Sequence, residues 1–327
     1  MSNIGIWHLL HNRCNNFFTG GSTGLNCIKF YIEDYLVGYI HREFLPQLAK
    51  YSSVFVINSD CVRLHPQLGS FEQRTAAVEN VMQDLRGSLK ALKGWQNEHY
   101  GVCVEGHSRA LMSVERAASR VLGIKRYGVH INGYTFLSEP SMAPKPPAHV
   151  VAGVEAVEGH NELKLSNVPP NLRMWIALRS KSKTNWPGFL DLITAGGLPY
   201  SMKALDCAKK EAREEAGIPD GLLENLKPCG TITYAFDDDA GVGAGVAYLY
   251  DLELPPDFHP VNCDKEVEEF YLLSPHDVAK LIQTESFKQN CGMTVLDFFI
   301  RHGYVDPDEN PRLEEWLQLM HYKLPYD

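Results

Sequence analysis

The 327-residue chain carries 31 Lys and Arg against 40 Asp and Glu, a formal net charge of −9, and 44% of it is hydrophobic. This composition supports real apolar cores, about two domains by length, and excludes a chain disordered for want of them. Its acidity excludes the basic footprint with which a nucleic-acid binder displaces counterions, and no apolar run approaches the roughly 18 residues of a membrane helix.

Met1 to Gly21 shows no long apolar run and no Arg-rich amphipathic stretch, so no leader is expected. Eight cysteines are scattered without a CxxC pair, and no N-x-S/T acceptor occurs, a pattern of reduced thiols in the cytosol. His8, His11 and Cys14 share helical spacing, which alone reads as incidental. Cys27 to Ile40 predicts two strands joined at Glu33-Asp34, and Val54 to Ile57 a third. Ser70 caps a predicted helix whose apolar positions run from Phe71 to Leu92, with Gly94 stopping it. A second helix is expected over Ser113–Leu122, then a boundary near Ile124 and a strand from Tyr127 to Phe136.

Ser138 to Pro147 holds four prolines and predicts a surface loop within an insertion over 138–170. Strands are expected at Arg173–Ala177, Thr231–Phe236, Val246–Leu252 and Glu268–Leu273. Helices are expected at Lys203–Ala216, Pro275–Ile282 and Met293–His302. The run Asp237-Asp238-Asp239 lacks the closing glutamate of a calcium loop and reads as a hairpin tip.

Ala195 to Ile218 carries the chemistry. Gly196-Gly197 leads into a loop and then a helix with Glu211, Glu214 and Glu215, closed by Gly217. Residues three and four apart share a helix face, so Glu211 lies beside both other glutamates, while Leu205, Ala208 and Ala212 are expected to pack inward. Such a cluster is either a solvated face paired with Lys209, Lys210 and Arg213 or a cation site. Oxygen-only ligands suit Mg²⁺ or Mn²⁺.

The segment resembles a Nudix box, G-x5-E-x7-R-E-U-x-E-E-x-G-U, with U a bulky aliphatic residue. Gly196, Glu211, Glu214, Glu215, Gly217 and Ile218 fall in register. The chain departs from it at Met202, where the box has glutamate, at Lys210, where it has arginine, and at Ala212, its aliphatic position. The arm Trp175 to Asp191 resembles that of thiamin-pyrophosphokinase-related Nudix proteins. FYIEDYLVGYI, WQNEHYGV and ERAASRVLGIKRYGVHINGY resemble their companion domain.

The resemblance implies an α+β chain with a small N-terminal domain over 1–124 and a Nudix α/β/α sandwich with a mixed sheet over 125–327. It implies a metal-dependent hydrolase in which Glu211, Glu214 and Glu215 hold Mg²⁺ or Mn²⁺. Glu266 is chosen as a further carboxylate, ligand or base, from the run Glu266, Glu268 and Glu269. Arg179 and Lys183 either hold phosphates or are strand-end charges, and Gly196 and Gly197 belong to the substrate loop. Trp186 is placed to stack on a flat cationic ring, whereas Trp175 is assigned to the core. The implied substrates are thiamin diphosphate and its oxo and oxy analogues, cleaved to the monophosphate. The two domains leave no room for a kinase. Two alternatives stand: hydrolysis of ADP-ribose or another nucleoside diphosphate derivative, and a catalytically weak module that binds diphosphates.

Overall fold

The computed structural model describes residues 5–19, 26–138 and 162–326. Strands β1 (Cys27–Ile32) and β2 (Tyr35–His41) form the expected hairpin about Glu33-Asp34, with Ile32 opposite Tyr35. β3 (Phe55–Ile57) and β4 (Cys61–Leu64) complete a four-stranded sheet in the order β2-β1-β4-β3, in which β4 runs parallel to β1. Helix α1 (Phe71–Leu85) starts in a capping box: the Ser70 hydroxyl accepts the Gln73 N–H and the Gln73 side chain accepts that of Ser70. Its buried residues Val78, Val81, Met82 and Leu85 share one core with Phe30, Ile40 and Phe55.

Two expectations about this region need correction. The helix stops at Leu85, not at Gly94. Gly87 is a poor helix former, and the Ser88 hydroxyl bonds back to the Leu85 carbonyl at 3.0 Å, so Leu89 and Leu92 are buried from a turn instead. The expected helix over Ser113–Leu122 forms only in part, since its first three residues belong to a strand. β5 (His99–Glu105) and β6 (Arg109–Glu115) pair antiparallel, and only Ala118–Val121 is helical. The short apolar run from Ala110 to Val114 fits either period, and cross-strand pairing decides it.

A seven-stranded mixed sheet follows. β7 (Lys125–Phe136), β8 (Leu172–Arg179), β11 (Lys227–Asp238), β12 (Gly241–Glu253) and β13 (Val267–Leu273) lie in the order β11-β12-β7-β8-β13. β9 (Leu190–Leu192) pairs with β8 and β10 (Thr194–Gly197) with β7. β12 and β7 are parallel and the other pairs antiparallel. Successive residues of β12 point to opposite faces, so Leu249 and Tyr250 enter different cores. One face carries α2 (Ala204–Ala216) through Cys207, Ala208 and Ala212. The other carries α3 (Pro275–Leu281), α4 (Gln289–Arg301), α5 (Leu313–Met320) and the N-terminal helical segment Gly5–Cys14. The result is an α/β/α sandwich. The N-terminal segment and α5 escaped the sequence reading, although Leu9, Leu10 and Trp316 are fully or almost fully buried.

Leu205 does not pack inward but is 43% exposed; Cys207 fills the core instead. Residues 139–161 of the expected insertion, and most of its proline-rich run, lie outside the described residues. From 162 onward the chain is tied down: the Leu163 N–H donates to Gln283 and the Lys164 N–H to Asn310. The two parts of the chain meet closely. His41 on β2 bonds Asp237 on β11, the Tyr39 hydroxyl donates to the Pro325 carbonyl, and that of Tyr326 donates to Gly123.

Candidate active site

β10 and α2 set the glutamates in place. Gly196 on β10 lies so close to Glu211 that a Cβ there would meet its Cδ at 2.4 Å, and a Cβ on Gly197 would meet the Tyr100 hydroxyl at 1.8 Å. The glycine pair therefore admits two approaches at once: a carboxylate from α2 and an aromatic ring from β5. The helix ends at Gly217 with φ +62°.

The three glutamates differ in surroundings. Glu215 shares the inward face with Ala208 and Ala212, is 7% exposed, and accepts the Ala195 N–H at 3.0 Å. Burial, reinforced by the charge of Glu211, pushes its carboxyl up to about 8. Burial also raises the Glu211 carboxyl, against the pull of Lys210. Glu214 is half exposed. Lys210 bridges to Glu211 at 3.2 Å and to Glu214 at 2.7 Å, so the residue standing for the box arginine neutralises two of the three. Met202, at the box's first glutamate, is partly buried and packs against the apolar core beneath α2.

These carboxylates line a cavity of about 390 Å³ whose walls come from both parts of the chain. Glu266 faces the same cavity and pairs with Lys183, which also lines it. Glu268 and Glu269 do not line it: the first is exposed near Lys181 and the second accepts the Tyr271 hydroxyl. Gly196, Gly197, Arg179 and Trp186 line it too.

Arg179 reaches the wall but is spoken for. Its guanidinium donates to Asp191 at 2.9 Å and to the Trp186 and Asn185 carbonyls at 3.0 Å each. It braces the turn that presents Trp186, so its donors are not aimed at a phosphate. Trp186 itself is half-buried, edge-on to Phe189. Trp175 is buried in the core under α2. Asp191 also takes Lys288 at 3.0 Å; burial works to raise its carboxyl, but Lys288 and Arg179 together hold it well below the carboxylate range.

Several lining residues lay outside the sequence reading: Glu98, Tyr100, Arg116 and Arg120 from the N-terminal part, and Arg126, His130, Asp264 and Lys288 beyond it. Burial, helped by Lys288, pushes the His130 imidazole down to about 3, so it stays neutral with Nδ1 at 2.6 Å from the Thr294 hydroxyl. No motif marks these positions, since they come from separate strands and turns.

The donor set fits a hard divalent cation: carboxylate oxygens only, two of them disfavoured as anions where they stand. Bringing Glu214 to such an ion requires it to turn away from Lys210. Elsewhere, Cys27, His41 and Asp237 bring a thiol, an imidazole and a carboxylate within 4.8 Å. His41 lies there between Asp237 and Glu43 as an ion pair, and Asp237 to Asp239 lead into the tip of the β11–β12 hairpin.

Comparison with known sequences agrees with this geometry. A NUDIX domain model matches residues 169–291, and a domain of unknown function, DUF4743, matches residues 7–126. "Nudix hydrolase 20, chloroplastic" of Arabidopsis thaliana is 35% identical over 94% of this chain and 76% of its own length. "Nudix hydrolase 24, chloroplastic" of the same plant is 34% identical over 89% of this chain and 72% of its own. Among solved structures, the NUDIX domain of Shewanella oneidensis NrtR, a cocrystal with ADP ribose, superposes with a TM-score of 0.37 at 10% identity, over 54% of this chain and 88% of that one. With the box glutamates on the wall of a cavity and two such relatives aligned along most of the chain, the protein belongs to the Nudix hydrolase family and is a hydrolase of phosphoanhydride bonds.

Proposed function

We propose that the substrate is thiamin diphosphate or a damaged oxo or oxy analogue, cleaved to the monophosphate with Mg²⁺ or Mn²⁺. The observation that carries this reading is one cavity in which carboxylates, cations and aromatic rings meet. Glu211, Glu214 and Glu215 stand on one wall, Lys183, Arg116 and Arg126 on others, and Trp186, Tyr127, Tyr234 and Phe236 among them. Its volume of about 390 Å³ lies in the range of roughly 300–1,000 Å³ that small-molecule sites occupy. The aromatic faces and the carboxylates Glu98 and Asp264 suit a flat cationic ring; the basic groups suit a diphosphate.

Glu211, Glu214 and Glu215 would hold the divalent ion. When bound, it supplies charge neutralisation on the diphosphate and a water of lowered pKa. Glu266 or a box carboxylate would accept the proton of the attacking water, and Lys183, paired with Glu266, orients it. Tyr100 and the glycine pair hold the loop that keeps Glu211 in place. The eight cysteines, all free, support a reducing compartment, the cytosol in this reading.

Chromatography of the products from a panel of thiamin diphosphate, its oxo and oxy analogues, ADP-ribose and common nucleotides tests the substrate. Monophosphate mainly from the thiamin compounds is expected. Preferential cleavage of ADP-ribose or nucleotides would discard the thiamin assignment, and binding without any product would leave a diphosphate-binding module.

A further inference from the structure

The cations of the cavity can be sorted by partner. Arg116 pairs with Glu98, Lys183 with Glu266, Lys210 with Glu211 and Glu214, and both Arg179 and Lys288 with Asp191. Arg120 is held by Asp238 and by the Gly241 carbonyl at 2.8 Å. Arg126 and Lys93 line the cavity without an ion pair among the described residues, and of the two Lys93 is exposed whereas Arg126 is half-buried. Its Nε is sealed from solvent without an acceptor, and so is the Nε of Arg120. Burial and the nearby Arg126 charge both disfavour the cation on Arg120, and both residues line the cavity. Two partly desolvated guanidiniums, each with an unused donor and only Arg120 paired with a carboxylate, are costly unless an anion completes the set.

We propose that Arg126 and Arg120 form an anion subsite for the terminal phosphoryl group of the substrate, in the cavity that the glutamates also line. Arg120 lies in the part of the chain matched to the domain of unknown function and Arg126 is the last residue of that match, so that domain helps build the active site. A free phosphoryl terminus carries close to two negative charges and three acceptor oxygens, enough for two guanidinium forks. A diphosphate esterified at both ends, as in ADP-ribose, offers no such group. The inference deepens the proposed function: it selects diphosphates with a free terminal phosphate.

Titration calorimetry of the full chain with inorganic pyrophosphate in EDTA tests the subsite apart from catalysis. Wild type should bind, Arg126→Gln about 10- to 100-fold more weakly, and Arg126→Lys in between because it keeps the charge but loses the fork. Arg120→Gln should weaken binding too, which keeps the test open if Arg126→Gln fails to fold by circular dichroism. No binding to wild type, or a folded Arg126→Gln within twofold of it, would overturn the subsite. Pyrophosphate binding that depends on Arg126 in a protein that hydrolyses no diphosphate would refute the proposed function and leave the subsite standing. With active enzyme, Arg126→Gln should raise KM for thiamin diphosphate at least tenfold and leave any KM for ADP-ribose unchanged; equal effects on both would overturn the preference for a free terminus.

Discussion

Lys210 shows how a single departure from a motif rewires charge. An arginine braces by a planar fork, whereas this ammonium sits as a point charge between Glu211 and Glu214. It therefore competes with any cation for the same oxygens. Lys210→Met should tighten Mg²⁺ binding roughly fivefold, the effect of removing about 1 kcal/mol of like-charge repulsion at partly exposed positions. Calorimetry against Mg²⁺ checks it; weaker binding would show that Lys210 holds the glutamates in place rather than competing. Asp191 is a second decisive residue, since one buried carboxylate serves two cations. Asp191→Asn should cost about 3–5 kcal/mol by urea unfolding, because it strands Arg179 and Lys288. A loss under 1 kcal/mol would mean that water or the neighbouring carbonyls suffice.

At the scale of elements, β10 is the hinge between the motif and the rest of the fold. Gly197→Ala drives a methyl into the Tyr100 hydroxyl and should lower both melting temperature and activity. Tyr100→Ala in the same chain should recover part of the stability, which a double-mutant cycle measures. Additive losses would place the strain elsewhere. The β2–β11 contact is a pH-dependent joint. The bond from His41 to the Asp237 carboxylate is the largest cause that raises the imidazole to about 10, above the ordinary 6.5. A raised folded pKa means the native state binds more protons, so this stability is fully present below pH 6.5 and is lost as pH climbs from there through 10. His41→Gln should flatten that decline in chemical-denaturation curves; an unchanged slope would refute the joint. The helix α2 and its cap were legible because a 3.6-residue period, a terminal glycine and charges all agree. The strand β6 was not, because five apolar-leaning residues carry no period of their own.

For the whole molecule, the sequence showed the half of the site that a contiguous motif encodes. Glu211, Glu214 and Glu215 fall within five residues of one helix, and Glu266 was reached through the charge run that contains it. Arg120, Arg126, Tyr100 and Lys288 come from four separate elements, and only the packing of the N-terminal sheet and hairpin against the sandwich brings them to one cavity. Their surroundings also decide their roles: Arg179, which the sequence offered as a phosphate ligand, is consumed by Asp191 and two carbonyls, while the unpartnered Arg126 went unnoticed. The acidic net charge is consistent with phosphate chemistry on these terms, since the compensating cations are local.

Phosphorus NMR of thiamin diphosphate incubated with the full chain and Mg²⁺, with EDTA and Glu214→Gln as controls, tests the carboxylate site most directly. Conversion to thiamin monophosphate and inorganic phosphate is expected, lost in EDTA and slowed roughly 100-fold or more in Glu214→Gln, since the ion would contribute several kcal/mol to the transition state. Turnover in Glu214→Gln equal to wild type, or turnover that persists in EDTA, would contradict that site.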